Sequence, residues 1–180
     1  TVRVFVTGPT GSGKSTFADR ISGAAGLPLH SLDDLHWEKG PSGDRRREPE
    51  QRLALLLPLV LQSSWVIEGV QFKWADAALD RADKIMVLDI PRWRNIMRIL
   101  KRFVTRRLAS EHNPRATLAA LREELRWSSD YYSHERALLF DKLARYRDKV
   151  VEINDEHAMG RAFAETIAAT AFRERAGPLA

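Results

Sequence analysis

The residues most able to do chemistry lie in one short run, Gly8-Pro9-Thr10-Gly11-Ser12-Gly13-Lys14-Ser15-Thr16, which has the pattern G-x-x-x-x-G-K-[ST]. Its glycines let the backbone wrap around an oxyanion with successive N–H groups pointing inward. A helix opening near Gly13 adds the positive end of its dipole. Lys14 can then reach the β- and γ-phosphates of a nucleoside triphosphate, and the Ser15 hydroxyl is placed to ligate Mg²⁺ beside them. A glycine-rich turn that merely joined a strand to a helix would need neither the lysine nor the run of small and polar residues. Gly8 to Thr16 are therefore the expected donor-binding residues, with ATP and Mg²⁺ as cofactors and Ser15 as metal ligand. The motif specifies a ligand class and leaves the reaction open, because switches, motors, transporters and kinases share it.

Two further sets of residues could act on that ligand. Asp33-Asp34-Leu35-His36-Trp37 follows a short extended segment, Leu27 to Ser31, and Glu68-Gly69 follows the apolar run Trp65-Val66-Ile67. Carboxylates released at strand ends beside a phosphate loop can accept a hydrogen bond from an acceptor hydroxyl or hold a water on Mg²⁺. Asp33, which comes sooner after its strand, is the one of the pair expected in the catalytic role. A helix N-terminus with an acidic first turn is the other use for one of the two. Glu68 is expected to order magnesium-bound water or pair with an arginine; a buried salt bridge is the structural alternative. His36 and Trp37 are candidates for lining an acceptor pocket, and Trp37 equally for packing. Arg98, Arg102 and Arg106 recur every four residues, so on a helix they point along one line and can meet phosphate charge in a cleft. The candidate catalytic set is Lys14, Asp33, Glu68, Arg98, Arg102 and Arg106.

The elements that must position these groups follow from periodicity. Arg3 to Thr7 reads as a central strand and Gly13 to Ala24 as a helix burying Phe17, Ala18 and Ile21, stopped by Gly26. Glu38 to Glu50 reads as a mobile acceptor-side loop. Pro49 then opens a helix with Leu53, Leu56, Leu57, Val60 and Leu61 at helical spacing and a kink at Pro58. Strands are expected at Trp65–Val70 and Lys84–Ile90, with a short helix around Phe72 to Leu79 between them. A long helix follows Pro91, with Trp93, Ile96, Met97, Ile99, Leu100, Phe103 and Val104 as its apolar surfaces. A loop over Ala109–Arg115, helices from Ala116 to Ala144, a last strand at Arg147–Ile153 and a helix from Ala158 complete the chain. Five strands with helical returns give an open α/β sheet with right-handed crossovers.

Composition bounds the rest. The chain has 180 residues, 44% of them hydrophobic, no cysteine and a formal charge of +5 from 29 Lys and Arg against 24 Asp and Glu. The length suits one domain, here residues 1–176, with a flexible tail at 177–180. No disulfide or thiolate chemistry is available. The longest apolar stretch, Leu53 to Leu61, is broken by Pro58 and too short to span a bilayer. No signal-peptide pattern precedes the first strand, and no N-K-x-D of a guanine-reading switch occurs. A cytoplasmic protein without a membrane partner is expected, as a monomer or homodimer. The basic excess lies between Arg92 and Arg126. It suits a site that gathers donor and acceptor phosphates; nucleic-acid binding is the alternative, less favoured because Trp93, Phe103 and Trp127 have the spacing of packing residues.

Gly8 to Thr16, Asp33-Asp34-Leu35-His36-Trp37, Trp65-Val66-Ile67-Glu68-Gly69-Val70 and Leu88-Asp89-Ile90-Pro91-Arg92 with Arg98 together resemble the bacterial DNA topology modulation protein family, within the wider P-loop group related to adenylate kinase. The resemblance covers nearly the whole chain. It implies a P-loop NTPase fold with a five-stranded parallel sheet in the order 2-3-1-4-5, an acceptor-side region at 33–62 and a short helical lid at 106–126. It further implies that Lys14 and Ser15 hold donor phosphates and magnesium, that Asp33 faces the acceptor, and that Arg102, Arg106 and Arg107 lie in or near the lid. Glu68-Gly69-Val70 stands where adenylate kinases typically read Asp-Gly-Phe-Pro-Arg, and the lid is short and lacks a cysteine cluster. The implied activity is phosphoryl transfer to a small acceptor, a nucleotide or nucleoside among the candidates. The other reading is a nucleic-acid-binding or regulatory protein with weak ATPase activity.

Overall fold

The computed structural model of the chain describes residues 1–41, 43–109 and 117–175, the last three as backbone only. In chain order its elements are β1 (Arg3–Thr7), α1 (Lys14–Ala25), β2 (Leu29–Ser31), α2 (Leu32–His36), β3 (Trp37–Glu38), β4 (Arg45–Arg46), α3 (Pro49–Val60), β5 (Trp65–Glu68), α4 (Asp76–Arg81), β6 (Lys84–Leu88), α5 (Arg92–Ala109), α6 (Leu118–Asp130), α7 (Arg136–Leu143), β7 (Val150–Ile153) and α8 (Glu156–Arg175). The lid loop expected at Ser110–Arg115 and the tail at 177–180 lie outside the described residues.

Five strands form one parallel sheet in the order β2-β5-β1-β6-β7. Counting only the members of this sheet, that is 2-3-1-4-5, the order the resemblance implies. Alternate residues of β1 supply opposite faces, as the pleat requires. Val4 and Val6 pack with Phe17, Ala18 and Ile21 of α1 and Ala158 and Ala162 of α8. Phe5 packs on the other side with Leu56 and Val60 of α3, Leu79 of α4 and Leu139 and Leu143 of α7. A parallel sheet covered on both faces needs apolar side chains in both directions, which is why its inner strands read as continuous apolar runs. Gly26, at φ 62°, ends α1 in the left-handed conformation as expected. Among the described residues no helix is long and apolar enough to cross a membrane.

Three expectations are corrected. The segment Glu38 to Glu50 contains a small antiparallel hairpin, β3 with β4, pairing Trp37 with Arg46 and Glu38 with Arg45. Arg45 binds Glu38 at 2.7 Å, and Arg47 donates to the carbonyls of Asp34 and Trp37, each at 2.7 Å. These two arginines therefore tie the hairpin to the end of α2. On α3 the inward stripe is Arg52, Leu56 and Val60, spaced by four, so Leu53, Leu57 and Leu61 face outward. On α5 only Asn95 and Ile99 are buried, while Trp93 is 63% exposed and Trp127 of α6 45% exposed, so neither tryptophan is a core residue. α5 buries one narrow stripe, against the phosphate loop and α6, and the polar Asn95 occupies part of it.

Candidate functional site

The phosphate loop leaves β1 at the carboxyl rim of the sheet, the side on which ligands bind in open α/β folds. Gly8, Gly11 and Gly13 adopt φ of 149°, 82° and 90°. A side chain at Gly8 would place Cβ 2.7 Å from the Leu88 carbonyl oxygen, and one at Gly11 would meet Ile99 Cγ1 at 2.7 Å. The loop thus needs glycine both for its dihedrals and for the close approach of β6 and α5. Gly13 begins α1 without a side-chain cap, and no acid occupies the first turn. The first N–H groups of α1 are left to an anion.

Lys14 is half-buried. Loss of hydration holds its ammonium below the ordinary lysine range, reinforced by Arg102 and opposed by Glu68 and Asp33. Three charges therefore act on this one ammonium. Ser15 Oγ donates to Glu68 Oε2 at 3.1 Å, and Ser31 Oγ donates to Glu68 Oε1 at 2.7 Å. Buried Glu68 makes no salt bridge among the described residues. It links α1 to the end of β2 through two hydroxyls. Ser31 also caps α2 by accepting from the Asp33 N–H at 3.3 Å, which places both Asp33 and Asp34 in the first turn. The two aspartates differ in their partners: Asp33 accepts from the Gln71 amide, whereas Asp34 pairs with exposed Lys39.

α5 crosses the loop. Asn95 Nδ2 donates to the Thr10 carbonyl at 2.6 Å, and Ser128 Oγ of α6 donates to Asn95 Oδ1 at 2.6 Å. Arg98 donates to the Ser12 carbonyl at 2.6 Å, so it braces the loop backbone. Arg102 and Arg106 both bind the carboxylate of Glu124, at 2.8 and 3.1 Å. Past β6, Asp89 is taken by a two-pronged pair with Arg136, and Tyr132 donates to the Ile90 carbonyl at 2.6 Å. Tyr132 is pushed up to about 12, by burial first and by Asp89 second. Tyr132 itself lies in the π turn Tyr131–Glu135 between α6 and α7, and Arg136 opens α7.

Sequence reasoning missed Ser31, Gln71, Asn95, Arg52 and Glu124. Asn95 alone left a signal, a small amide on the otherwise apolar buried stripe of α5. The others acquire roles through contacts between distant elements, which no spacing encodes. The groups expected to hold Mg²⁺ fit an oxygen-ligated ion. Ser15 offers a hydroxyl and Glu68 a carboxylate, and among the described residues no cluster of three His, Cys, Asp or Glu forms a metal cage. That suits a cation held chiefly by phosphate oxygens and water.

Neither a protein-family model nor a curated protein sequence matches the chain. Solved structures do. A sugar kinase from Janibacter sp., in unliganded form, is 17% identical with a TM-score of 0.50, over 94% of this chain and 98% of that one. An uncharacterized protein from Eubacterium ventriosum is 12% identical with a TM-score of 0.56, over 95% and 99%. A gluconokinase from Sinorhizobium meliloti 1021 is 16% identical with a TM-score of 0.49, over 94% and 91%. Likeness to the first two at these identities establishes the fold alone, an α/β domain whose five-stranded parallel sheet is flanked by helices.

Proposed function

We propose that the chain transfers the γ-phosphoryl group of ATP, with Mg²⁺, to a hydroxyl of a small acceptor seated between the Gly8–Thr16 loop and α2. The observation that carries this reading is the Ser15–Glu68–Ser31 bridge, which brings Asp33 within electrostatic reach of Lys14. Phosphoryl transfer depends mainly on alignment and charge stabilisation, and such a bridge fixes donor and acceptor sides relative to each other. Asp33, oriented by Gln71, accepts the acceptor's hydroxyl proton as the new oxygen–phosphorus bond forms and the bond to the ADP oxygen breaks. Lys14 balances donor phosphate charge, Arg98 fixes the loop, and Arg102 and Arg106 offer positive charge to the transferring group. Ser15 and Glu68 would hold Mg²⁺, which when bound would neutralise donor phosphate charge. Likeness in fold to a sugar kinase supports a small hydroxylated acceptor. The finer family, DNA topology modulation protein, rests on the motifs quoted above, and nucleotides stay among the acceptors to be tried.

Two measurements test the reading. Lys14→Ala should abolish Mg-ATP binding and turnover while the fold persists; calorimetry showing unchanged affinity would remove Lys14 from the donor site. A screen of hydroxylated metabolites, nucleosides and nucleotides should reveal acceptor-dependent ADP release, and no stimulation across a broad panel counts against transfer.

A second reading, ATP-dependent nucleic-acid binding, gains from the exposure of Trp93 and Trp127 near Arg92, Arg94 and Arg126. Exposed aromatic rings between cations can stack on bases. Fluorescence anisotropy with single-stranded DNA and RNA decides it: binding must appear at low salt and fall steeply as salt rises.

A further inference from the structure

We infer that Arg52 forms an anion-binding subsite on the acceptor side, so that the phosphoryl acceptor is a small alcohol carrying its own carboxylate or phosphate. This rests on the phosphoryl-transfer reading and narrows its substrate class. Arg52 lies on the inward stripe of α3 and is only 5% exposed. Its guanidinium sits over the Trp74 ring, 5.3 Å from the centroid, and its NH1 is 3.4 Å from His36 Nδ1. Among the described residues no carboxylate pairs with it, and its buried Nε has no partner. A guanidinium stays charged at any working pH, and burying one without a counter-anion is costly.

Packing against Trp74 explains the ring contact but leaves the unpaired Nε unexplained. Neighbouring arginines solve the same problem within the protein. Arg81 donates to the Val60 carbonyl at 2.7 Å, and Arg47 takes the carbonyls at the end of α2. Arg52 does neither. Beside it the indole Nε1 of Trp74 is a second buried polar atom without a partner, and the amide Oε1 of Gln71, whose N–H binds Asp33, is a third. Such atoms in a folded protein call for a ligand or another specific cause. Two of the three are donors suited to anionic oxygens, and the third is an acceptor suited to a hydroxyl.

The cluster is continuous with the reacting groups. Gln71 spends its amide N–H on Asp33, and His36 stacks on Trp74 with ring centroids 6.1 Å apart. His36 is held below the ordinary imidazole range by burial first, then by Arg52 and Arg46, with Asp33 opposing. Its neutral ring can accept from Arg52 and fix the guanidinium plane. Asp33 and His36 are three residues apart on α2, where Cβ atoms lie about 5–6 Å apart. The anionic group and the reacting hydroxyl therefore belong to one molecule, a few bonds from each other.

The experiment compares ADP release with three matched sets of alcohols: neutral sugars, polyols and nucleosides; sugar acids; and sugar phosphates and nucleoside monophosphates. Activity should be confined to one or both anionic sets, which also decides between carboxylate and phosphate. For the best acceptor, Arg52→Met should raise KM at least ~10-fold with kcat little changed, the signature of lost uniform binding, and Arg52→Lys should fall between. Neutral alcohols serving as well as their anionic counterparts, or an unchanged KM in both variants, would overturn the subsite. If no alcohol in any set stimulates ADP release, the transfer reading fails separately. Inorganic phosphate titrated into the Lys14→Ala chain, read by tryptophan fluorescence, then judges Arg52 alone. Saturable binding lost on adding Arg52→Met supports the subsite, and no such binding, or binding unchanged by Arg52→Met, refutes it.

Discussion

Asn95 and Arg98, in the first half of α5, are tied to backbone carbonyls of the phosphate loop, whereas Arg102 and Arg106, further along the same helix, are tied to the carboxylate of Glu124 on α6. A loop carbonyl has no alternative position while the loop keeps its fold, so the first half of α5 is a brace. A carboxylate can be exchanged for phosphate oxygens, which present the same charge and accept the same donors. The second half therefore stores cations in a state from which a ligand can recruit them. Spacing by four places all three arginines on neighbouring positions of one face, but their partners give them different work.

Breaking the recruitable half should cost most in turnover. Arg106→Gln is expected to lower kcat by ~100-fold, about 2.7 kcal/mol of transition-state stabilisation, if its contact strengthens as charge redistributes. ADP affinity, read by calorimetry, should change much less, and Arg102→Gln should behave alike. Equal losses in kcat and ADP affinity would place both arginines with the brace. Breaking the brace has a different signature. Asn95→Ala leaves the Ser128 hydroxyl and the Thr10 carbonyl without their partner in a buried site, a loss of about 1–3 kcal/mol of folding stability. Urea unfolding should show it, accompanied by weaker Mg-ATP binding because the loop is loosened. An Asn95→Ala chain with wild-type stability and reduced kcat alone would reverse the division of labour between the two halves.

The contrast also explains what could be read from the chain. β1, the phosphate loop and α1 were legible because each imposes a local rule. Gly8, Gly11 and Gly13 adopt dihedrals that disfavour side chains, and Phe17, Ala18 and Ile21 repeat with the helix. The five sheet strands were legible as short apolar runs. The β3–β4 hairpin was not, since two residues per strand carry no period. Arg98, Arg102 and Arg106 were visible as a row, but the brace was indistinguishable from the recruitable cations because Ser12 and Glu124 are remote in sequence. Arg52 was hidden for a related reason. It occupies a position spaced like the core residues Leu56 and Val60, where an apolar side chain is the rule, and only Trp74 and His36 reveal what the charge faces.

Glu124 offers the smallest and most discriminating effect. In the ligand-free chain its carboxylate is 15% exposed and holds two partly exposed arginines. Each pair is solvent-screened, so removing the charge should cost no more than about 1 kcal/mol of stability. If phosphate must displace Glu124 to recruit Arg102 and Arg106, then Glu124→Gln removes a competitor. ATP affinity should rise by ~3-fold, which is about 0.65 kcal/mol at room temperature, while kcat holds within a factor of two. Salt gives an independent check, because raising ionic strength weakens the competing pair and should narrow the affinity difference between the two chains. If Glu124 instead aims the arginines at the phosphates, Glu124→Gln lets them wander, and kcat should fall toward that of Arg106→Gln with no gain in affinity. Measuring kcat and Mg-ATP affinity together on the one variant separates exchange from aim, and the second pattern would make both halves of α5 a single rigid brace.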